Sequence, residues 1–253
     1  MKVYIGYDAR EPDAYEVAVS SLRRRASAPV NVTPLDIRRL EAWGVLRRPT
    51  DLRGQRYDLP SNAPASTEFA ISRFLVPILA QAGWALFVDS DVVFLDDVAH
   101  LFALADPRYA VMCVQHAPQI GALQKMDGQA QLSYARKNWS SVVLWNCDHP
   151  ANRRLSLVDV QERRGFDLHQ FYWCADSEIG ALPAEWNWLV NVQAQPLKPK
   201  IAHFTLGGPF TPGWQGAEHD SLWYQEQSWL RNRPSEPAHA SRVSSTNSHG
   251  AAA

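Results

Sequence analysis

The chain has 253 residues, of which 46% are hydrophobic and 11% aromatic, which is enough to bury the core of one α/β domain. Its 25 Lys and Arg against 26 Asp and Glu leave a formal net charge of −1, which argues against a general nucleic-acid binder. The three cysteines are scattered and lack a metal-binding spacing, which argues against disulfides and a zinc site. The strand-like start and the absence of any run of about 18 apolar residues predict a cytoplasmic protein without a transmembrane segment.

The first part of the chain alternates strand-like and helix-like segments. KVYIGY predicts a strand, AYEVAVSSLRRRA a helix and VNVTPLDI a second strand, whereas residues 38–62 lack periodicity and predict mostly irregular structure with room for a short helix. STEFAISRFLVPILAQAG predicts a helix that Ser66 or Thr67 caps, Pro77 kinks and Gly83 ends. The Arg clusters here would allow peripheral contact with anionic lipid, although solvated helix faces are the commoner explanation.

The same alternation continues further along the chain. WALFVDSDVVFL (residues 84–95) predicts a buried strand, DDVAHLFAL a short helix with acids at its N-terminus, and YAVMCVQ another strand. WSSVVLWNC is strand-like, ANRRLSLVDVQERRG helical and IAHFTLG again strand-like. This order predicts an α/β fold with a mostly parallel, doubly wound sheet. We expect one domain in residues 1–230 and a disordered tail in the Ser-, Ala- and His-rich residues 231–253.

Two carboxylates interrupt the apolar run of residues 84–95. In an extended segment alternate side chains share a face, so Asp89 and Asp91 point the same way while Ser90 points opposite. Two ionised carboxylates on one apolar face are costly to bury unless a cation or a proton compensates them. Asp96 and Asp97 are already available to cap the following helix. We therefore expect Asp89 and Asp91 to serve a ligand at the carboxyl end of a strand.

Two enzyme chemistries fit this pair of acids. The acids could hold a divalent metal that neutralises the diphosphate of a nucleotide-sugar. Alternatively, FVDSDVVF resembles the first motif of haloacid-dehalogenase-type phosphatases, with Asp89 as nucleophile and Asp91 as acid/base. That motif usually lies on the first strand and requires a later acidic pair. Here a strand-loop-helix unit precedes the motif and no convincing late pair follows, which favours the metal site.

An ordered set of motifs over residues 1–215 resembles the family 8 glycosyltransferases, which are retaining enzymes of the GT-A fold. The matching segments are YIGYDAREPDAYEVAVSSL, FAISRFLVPILAQAGWALFVDSDVVFLDDVAHLF, WSSVVLWNC, CADSEIGALPAEWNW and IAHFTLGGPFTPGW. The resemblance implies a mostly parallel mixed central sheet flanked by helices. It departs from the family at the C-terminal Lys, at the Asn-Ser-Gly of the middle strand and at the family's DQD, none of which is present here.

The resemblance implies a metal site and a donor site. Asp89, Asp91 and His203 would hold Mn²⁺, with Mg²⁺ as the alternative, because Mn²⁺ tolerates a mixed nitrogen and oxygen shell. The donor-binding residues would be Gly6, Tyr7, Asp8, Arg73, Ser90, Gly207 and Gly208. In this interpretation Gly207 and Gly208 offer backbone N–H groups to phosphate in place of the missing Lys. Arg10 is a weaker candidate than Arg73 for binding the diphosphate.

The implied catalytic residues are Arg73, which would stabilise the leaving diphosphate, and Asp176, which would contact the sugar. Retention would proceed either through a covalent glycosyl intermediate or by attack of the acceptor on the leaving-group face. The density of Trp after residue 138 is explained by core packing more readily than by sugar stacking, with Trp186 and Asn187 expected to be the exceptions.

The sequence thus predicts a metal-dependent retaining glycosyltransferase. Its partners would be a nucleotide-sugar, with a UDP-sugar favoured, and a carbohydrate or other hydroxyl acceptor, in surface or capsular glycan assembly. Two alternatives stay open at this point: the phosphatase with Asp89 as nucleophile, and a protein that binds a nucleotide-sugar or glycan without transfer.

Overall fold

The computed structural model describes residues 1–52, 56–117 and 136–232. The strands are β1 (Lys2–Tyr7), β2 (Asn31–Asp36), β3 (Thr50–Leu52), β4 (Arg56–Asp58), β5 (Ala63–Pro64), β6 (Trp84–Val88), β7 (Val92–Phe94), β8 (Val111–Cys113), β9 (Val142–Asn146), β10 (Ile179–Ala181), β11 (Trp188–Leu189) and β12 (Ile201–His203). The helices are α1 (Pro12–Arg25), α2 (Ile37–Ala42), α3 (Val76–Ala80), α4 (Val98–Phe102), α5 (Leu157–Glu162), α6 (Gly165–His169) and α7 (Asp220–Arg231).

A six-stranded sheet in the order β10-β8-β9-β6-β1-β2 forms the centre of the molecule. Neighbours pair in parallel except where β9 lies between β6 and β8, and β9 is antiparallel to both. Apolar side chains cover both faces: Tyr4, Phe87 and Trp145 belong to one buried cluster, and Ile5 and Leu86 to another. The predicted mostly parallel, mixed α/β sheet is confirmed.

The apolar run of residues 84–95 forms two strands rather than the single predicted strand. β6 belongs to the central sheet, whereas β7 pairs antiparallel with β12 in a three-stranded sheet of order β11-β12-β7. The chain changes sheets at Asp89, Ser90 and Asp91. The apolar pattern did not reveal this change because both strands are buried, and a buried strand has the same apolar sequence whichever sheet it joins.

The prediction of one long helix over residues 66–83 was wrong. A turn leads into a 3-10 helix at Ser72–Leu75 and then into the short α3. Pro77 is the second residue of α3, where a missing N–H costs nothing, so Pro77 helps to begin the helix and does not kink it. The helix ends at Ala80; the next residue, Gln81, has a positive φ of 64°, and Gly83 has φ 73°.

Residues 38–62 contain more regular structure than predicted. Besides the short helix α2, strands β3, β4 and β5 form a small antiparallel sheet. Strands of two or three residues are too short to leave a periodic pattern.

Helix α7 ends the described part of the chain and was not predicted. It packs against α1. The predicted tail lies outside the described residues from residue 233 onward. Across residues 1–52, 56–117 and 136–232, no helix is both long and apolar enough to cross a bilayer.

Candidate functional site

The junction between β6 and β7 is held by backbone hydrogen bonds from both sides. The amide of Asp89 donates to the carbonyl of Ser141 at 2.9 Å, just before β9. The carbonyl of Asp91 accepts from the amide of Phe204 at 2.8 Å, just after β12. Because two different sheets meet here, the acids can leave the strand pattern without leaving backbone groups unpaired.

Asp89, Asp91 and His203 converge at this junction and are all buried. Nε2 of His203 lies 3.2 Å from Oδ1 of Asp91 and 4.0 Å from Oδ2 of Asp89. One potential ligand atom from each side chain lies within 4.8 Å of the other two. Two carboxylates and one imidazole are a donor set that suits a divalent cation such as Mn²⁺, and such a cation would offset the repulsion between the acids.

Arg73 contacts Asp89 directly. Its Nη1 lies 2.9 Å from Oδ1 of Asp89 and donates to the carbonyl of Ser140 at 2.9 Å. The guanidinium also lies 5.4 Å and 5.0 Å from the ring centroids of Phe69 and Phe87. This buried cation therefore lies beside the carboxylate pair, and its predicted contact with the diphosphate stays a prediction.

A pocket of about 410 Å³ opens beside Asp89, Asp91 and Arg73. Hydroxyl and amide side chains line much of it, namely Ser61, Asn62, Ser66, Thr67, Asn138, Ser140, Ser141 and Thr205. Lys137 adds a second, buried cation to the wall, and Phe166 adds an aromatic ring. Such a wall can donate and accept hydrogen bonds with a polyhydroxylated ligand and carries positive charge for an anionic one.

His169 also lines the pocket and was missed by the sequence reasoning. Burial, followed by the nearby charges of Arg73 and Arg48, lowers the pKa of its imidazole well below the ordinary value. Its Nδ1 lies 2.6 Å from Oγ of Ser140. The imidazole is therefore neutral at physiological pH and adds no charge to the site. No local signal marked His169 or Lys137, because each reaches the pocket from a segment remote in sequence from the acids.

The sequence of one plant protein is close to this one. No family model matches the chain. Protein CDI of Arabidopsis thaliana is 43% identical over 231 residues, which cover 89% of this chain and 85% of that protein. The chain belongs to the family of Protein CDI.

Solved glycosyltransferases share the fold of this CDI-family chain. GlyE of Streptococcus pneumoniae TIGR4 has a TM-score of 0.55 and 14% identity over 91% of the chain, which spans 62% of the length of GlyE. The galactosyltransferase LgtC, solved with donor and acceptor sugar analogues, has a TM-score of 0.55 and 14% identity, covering 93% of this chain and 98% of LgtC. The predicted GT-A fold is thereby confirmed, and at these identities the likeness concerns the fold alone.

The predicted nucleotide-binding residues at the end of β1 lie outside the pocket wall of the CDI-family chain. The space expected beside Gly6 is filled by Phe69, because a Cβ at Gly6 would lie 2.5 Å from Cδ2 of that ring. Tyr7 packs edge-on against Tyr15, with ring centroids 5.3 Å apart. The close approach that Gly6 permits is therefore made by Phe69.

Asp8 forms an internal cluster with its neighbours. Its carboxylate binds Arg10 at 2.6 Å and accepts from the backbone amide of Glu68 at 3.1 Å. Burial would raise the pKa of this carboxyl, but the hydrogen bonds from Arg10 and from the backbone outweigh burial and lower the pKa. The carboxylate is thus ionised, and its partners belong to the turn after β1 and to the segment around Glu68. Its predicted hydrogen bond to a base or ribose stays a prediction.

Gly207 and Gly208 do not present their N–H groups to the pocket as predicted. The amide of Gly207 donates to the carbonyl of Phe204 at 2.9 Å, and the amide of Gly208 donates to Oγ1 of Thr211 at 3.1 Å. Both donors stabilise the turn after β12, and Gly207 adopts φ 121°, which favours glycine. Ser90 is buried at the junction and lies outside the described pocket wall.

Asp176 is not brought to the carboxylate pair. Its side chain is 91% exposed, pairs with Arg136 at 2.6 Å and lies outside the described pocket wall. The sequence analysis placed it near the sugar because it lies in the matching segment CADSEIGALPAEWNW, but its carboxylate faces solvent in the 3-10 helix Asp176–Glu178. The assignment of Asp176 as a catalytic residue is not supported by this geometry.

The aromatic residues expected to contact sugar belong to the core. Trp186 is 1% exposed, and Asn187 is fully buried beside His203. Trp145 and Trp173 stack with an interplanar angle of 5° in the largest buried cluster. Core packing therefore accounts for these Trp residues, as the sequence analysis expected for most of them. The expectation that Trp186 and Asn187 contact sugar was wrong.

Proposed function

We propose that this CDI-family chain is a metal-dependent retaining glycosyltransferase that moves a sugar from a nucleotide diphosphate donor, with UDP favoured, to a hydroxyl acceptor. The observation that carries the proposal is the convergence of Asp89, Asp91 and His203 beside a polar pocket of about 410 Å³. The fold supports it, since structures with this fold include glycosyltransferases, and LgtC was solved with donor and acceptor sugar analogues.

The metal in this proposal is Mn²⁺, with Mg²⁺ as the alternative. Asp91, directly before β7, and His203, at the end of the paired strand β12, would hold it, and Asp89 would share its carboxylate with Arg73. When bound, the cation would neutralise a diphosphate and so assist departure of the nucleoside diphosphate.

Arg73 and Lys137 supply the protein's own positive charge to the pocket. A buried cation stabilises developing negative charge more strongly than an exposed one, because water screens it less. We assign the two side chains to the leaving diphosphate, a role that the sequence had given to Arg73 and to the backbone of Gly207 and Gly208. The hydroxyl and amide groups of the wall would then orient the sugar.

The acids of the described wall favour one of the two routes to retention. Asp58 pairs with Arg48, Asp89 with Arg73, and Asp91 lies against His203. Each carboxylate is thus engaged by a neighbouring group, which is unfavourable for a nucleophile that must attack a sugar carbon. We therefore favour entry of the acceptor hydroxyl on the leaving-group face over a covalent glycosyl intermediate.

The test is a panel of nucleotide-sugars with Mn²⁺, scored by release of nucleoside diphosphate. We expect turnover of at least one donor by the wild type and a loss of at least 100-fold in Asp91→Asn, the order expected when an electrostatic catalytic group is removed. Asp106→Asn is the matched control, because Asp106 pairs with Arg108 outside the described pocket wall and should leave turnover unchanged.

Three results would contradict the proposal. Failure of every donor to turn over, while one binds in the presence of Mn²⁺, would indicate a binding protein. Hydrolysis of phosphomonoesters with trapping of phosphate on Asp89 would indicate the phosphatase. Equal turnover by Asp91→Asn and the wild type would remove the carboxylate pair from the reaction.

A further inference from the structure

We propose that Asn187 is a positioning residue that fixes the ring of His203 so that Nε2 faces the metal. This inference rests on the proposed function for the identity of the metal. Asn187 ends the 3-10 helix Ala184–Asn187, directly before β11, and is fully buried. An amide with no exposure is stable only when its polar atoms are hydrogen-bonded, so its partners show its orientation.

The hydrogen bonds of Asn187 determine which way its amide points. Its Nδ2 lies 3.3 Å from the carbonyl oxygen of Asn138 and 2.9 Å from Oγ of Ser141. A carbonyl oxygen can only accept, so the NH₂ group must face Asn138. The Oδ1 of Asn187 therefore faces Nδ1 of His203, at 2.9 Å.

This orientation fixes the proton on the imidazole. Because Oδ1 of Asn187 can only accept, Nδ1 of His203 must carry the hydrogen. Nε2 is then the ring nitrogen left to coordinate a cation, and it lies 3.2 Å from Oδ1 of Asp91. A partner that binds the far nitrogen in this way fixes both the tautomer and the ring orientation of a ligating histidine.

Asn187 also connects His203 to the loop that supports Asp89. Oγ of Ser141 accepts from Asn187, and the carbonyl of Ser141 accepts from the amide of Asp89 at 2.9 Å. The side chain thus joins ligands that come from two sheets. Its loss should loosen the site as a unit.

The experiment measures Mn²⁺ affinity by electron paramagnetic resonance in wild type and Asn187→Leu. We expect the dissociation constant to rise about 10- to 100-fold, the loss typical when a partner of a metal ligand is removed. Asn187→Asp keeps an acceptor for Nδ1–H, so its dissociation constant for Mn²⁺ should lie between those of the wild type and Asn187→Leu. If Asn187→Leu does not fold, Asn187→Ala asks the same question with less bulk.

Asn152→Leu is the matched control. Asn152 is also buried, and its amide donates to the carbonyl oxygens of Ala110 and Asn146 at 2.8 Å while its Oδ1 accepts from Trp173 at 3.0 Å. Its loss should lower stability without changing Mn²⁺ affinity. Unchanged affinity in Asn187→Leu, or an equal loss in Asn152→Leu, would overturn the proposal.

A second readout needs no metal. Long-range ¹H–¹⁵N spectra at a pH well above the ordinary imidazole pKa of about 6.5, assigned with His203→Gln, report which ring nitrogen carries the proton. We expect the Nδ1–H tautomer in the wild type and in Asn187→Asp, and loss of that preference in Asn187→Leu. An Nε2–H tautomer in the wild type would refute the role of Asn187. Absence of Mn²⁺ binding with the Nδ1–H tautomer intact would refute only the metal site.

Discussion

Gly6 shows how a single missing Cβ can serve packing. A Cβ here would lie 2.5 Å from Cδ2 and 2.7 Å from Cδ1 of Phe69. The same ring lies over the guanidinium of Arg73, which pairs with Asp89. Contacts through Phe69 and Arg73 therefore link Gly6 to Asp89.

Gly6→Ala should destabilise the protein by about 1–3 kcal/mol, the usual range for an overpacked core. The measurement is the free energy of unfolding in urea. Phe69→Leu in the Gly6→Ala background should recover part of the loss, because the smaller side chain leaves room for the methyl group. An unchanged midpoint in Gly6→Ala would show that Phe69 is not confined against β1.

Residue patterns located the acids and His203 but could not locate their supports. Asp89 and Asp91 are conspicuous because charge is rare within an apolar run, and His203 ends a short strand in a matched motif. Lys137 carries no such contrast, and Asn187 was singled out for sugar contact and not for its contact with His203, which forms only across the fold. Asp176 is the converse case, because it lies in a matched segment but its carboxylate is exposed and pairs with Arg136.

At the scale of elements, α5 depends on a reciprocal cap at its first turn. Oγ of Ser156 accepts from the amide of Asp159 at 3.1 Å, and the carboxylate of Asp159 accepts from the amide of Ser156 at 2.9 Å. The carbonyl of Val160 in this helix accepts from the buried Arg48. Fraying of α5 would therefore disturb the core beneath it.

Ser156→Ala should cost about 1 kcal/mol of the free energy of unfolding, because the first-turn amide loses its acceptor. Ser156→Asn keeps an acceptor at the cap and should cost less. Both values come from chemical denaturation. Equal losses in the two variants would contradict a contribution from the cap.

The elements were predictable where they were long or bounded by clear signals. β1, α1 and β2 follow their sequence patterns because each is at least six residues long. The change of sheet at residues 89–91 could not be predicted, because partner choice depends on β9 and β12, which lie far along the chain.

At the scale of the whole molecule, α7 is joined to α1 by Glu226. Its buried carboxylate binds both Arg24 and Arg25. Burial raises the pKa of this carboxyl, but the hydrogen bonds and charges of the two arginines outweigh burial and lower the pKa below 4.5. A carboxyl with a lowered folded-state pKa stabilises the fold above its unfolded pKa and loses that contribution as pH falls through the folded value.

Glu226→Gln should lower the free energy of unfolding at pH 7 by about 1.5–3 kcal/mol, the range for hydrogen bonds to charged groups. The difference from wild type should shrink as the pH falls below about 4.5, the ordinary value for a Glu carboxyl. Glu218→Gln, at a side chain that is 84% exposed, is the control and should have no effect. A difference that is constant with pH would contradict an ionised Glu226.

The prediction of the fold class succeeded because alternating strands and helices allow few topologies. The strand order and the antiparallel position of β9 within the central sheet were not predictable, since pairing joins residues such as Phe87 and Val143 that lie far apart in sequence. The pocket likewise has walls from β5, the junction after β6 and the loop before β9. Only the folded chain brings those segments together.

In the proposed function, sugar transfer would require one divalent cation held between Asp91 and His203. Crystals grown with Mn²⁺ and UDP would locate it by anomalous scattering. We predict a single strong peak within about 2.0–2.6 Å of a carboxylate oxygen of Asp91 and of Nε2 of His203, the range for bound divalent cations, with Asp89 beside it. A map with no peak at the β6–β7 junction, or with Mn²⁺ bound elsewhere and UDP outside the pocket, would contradict the metal centre.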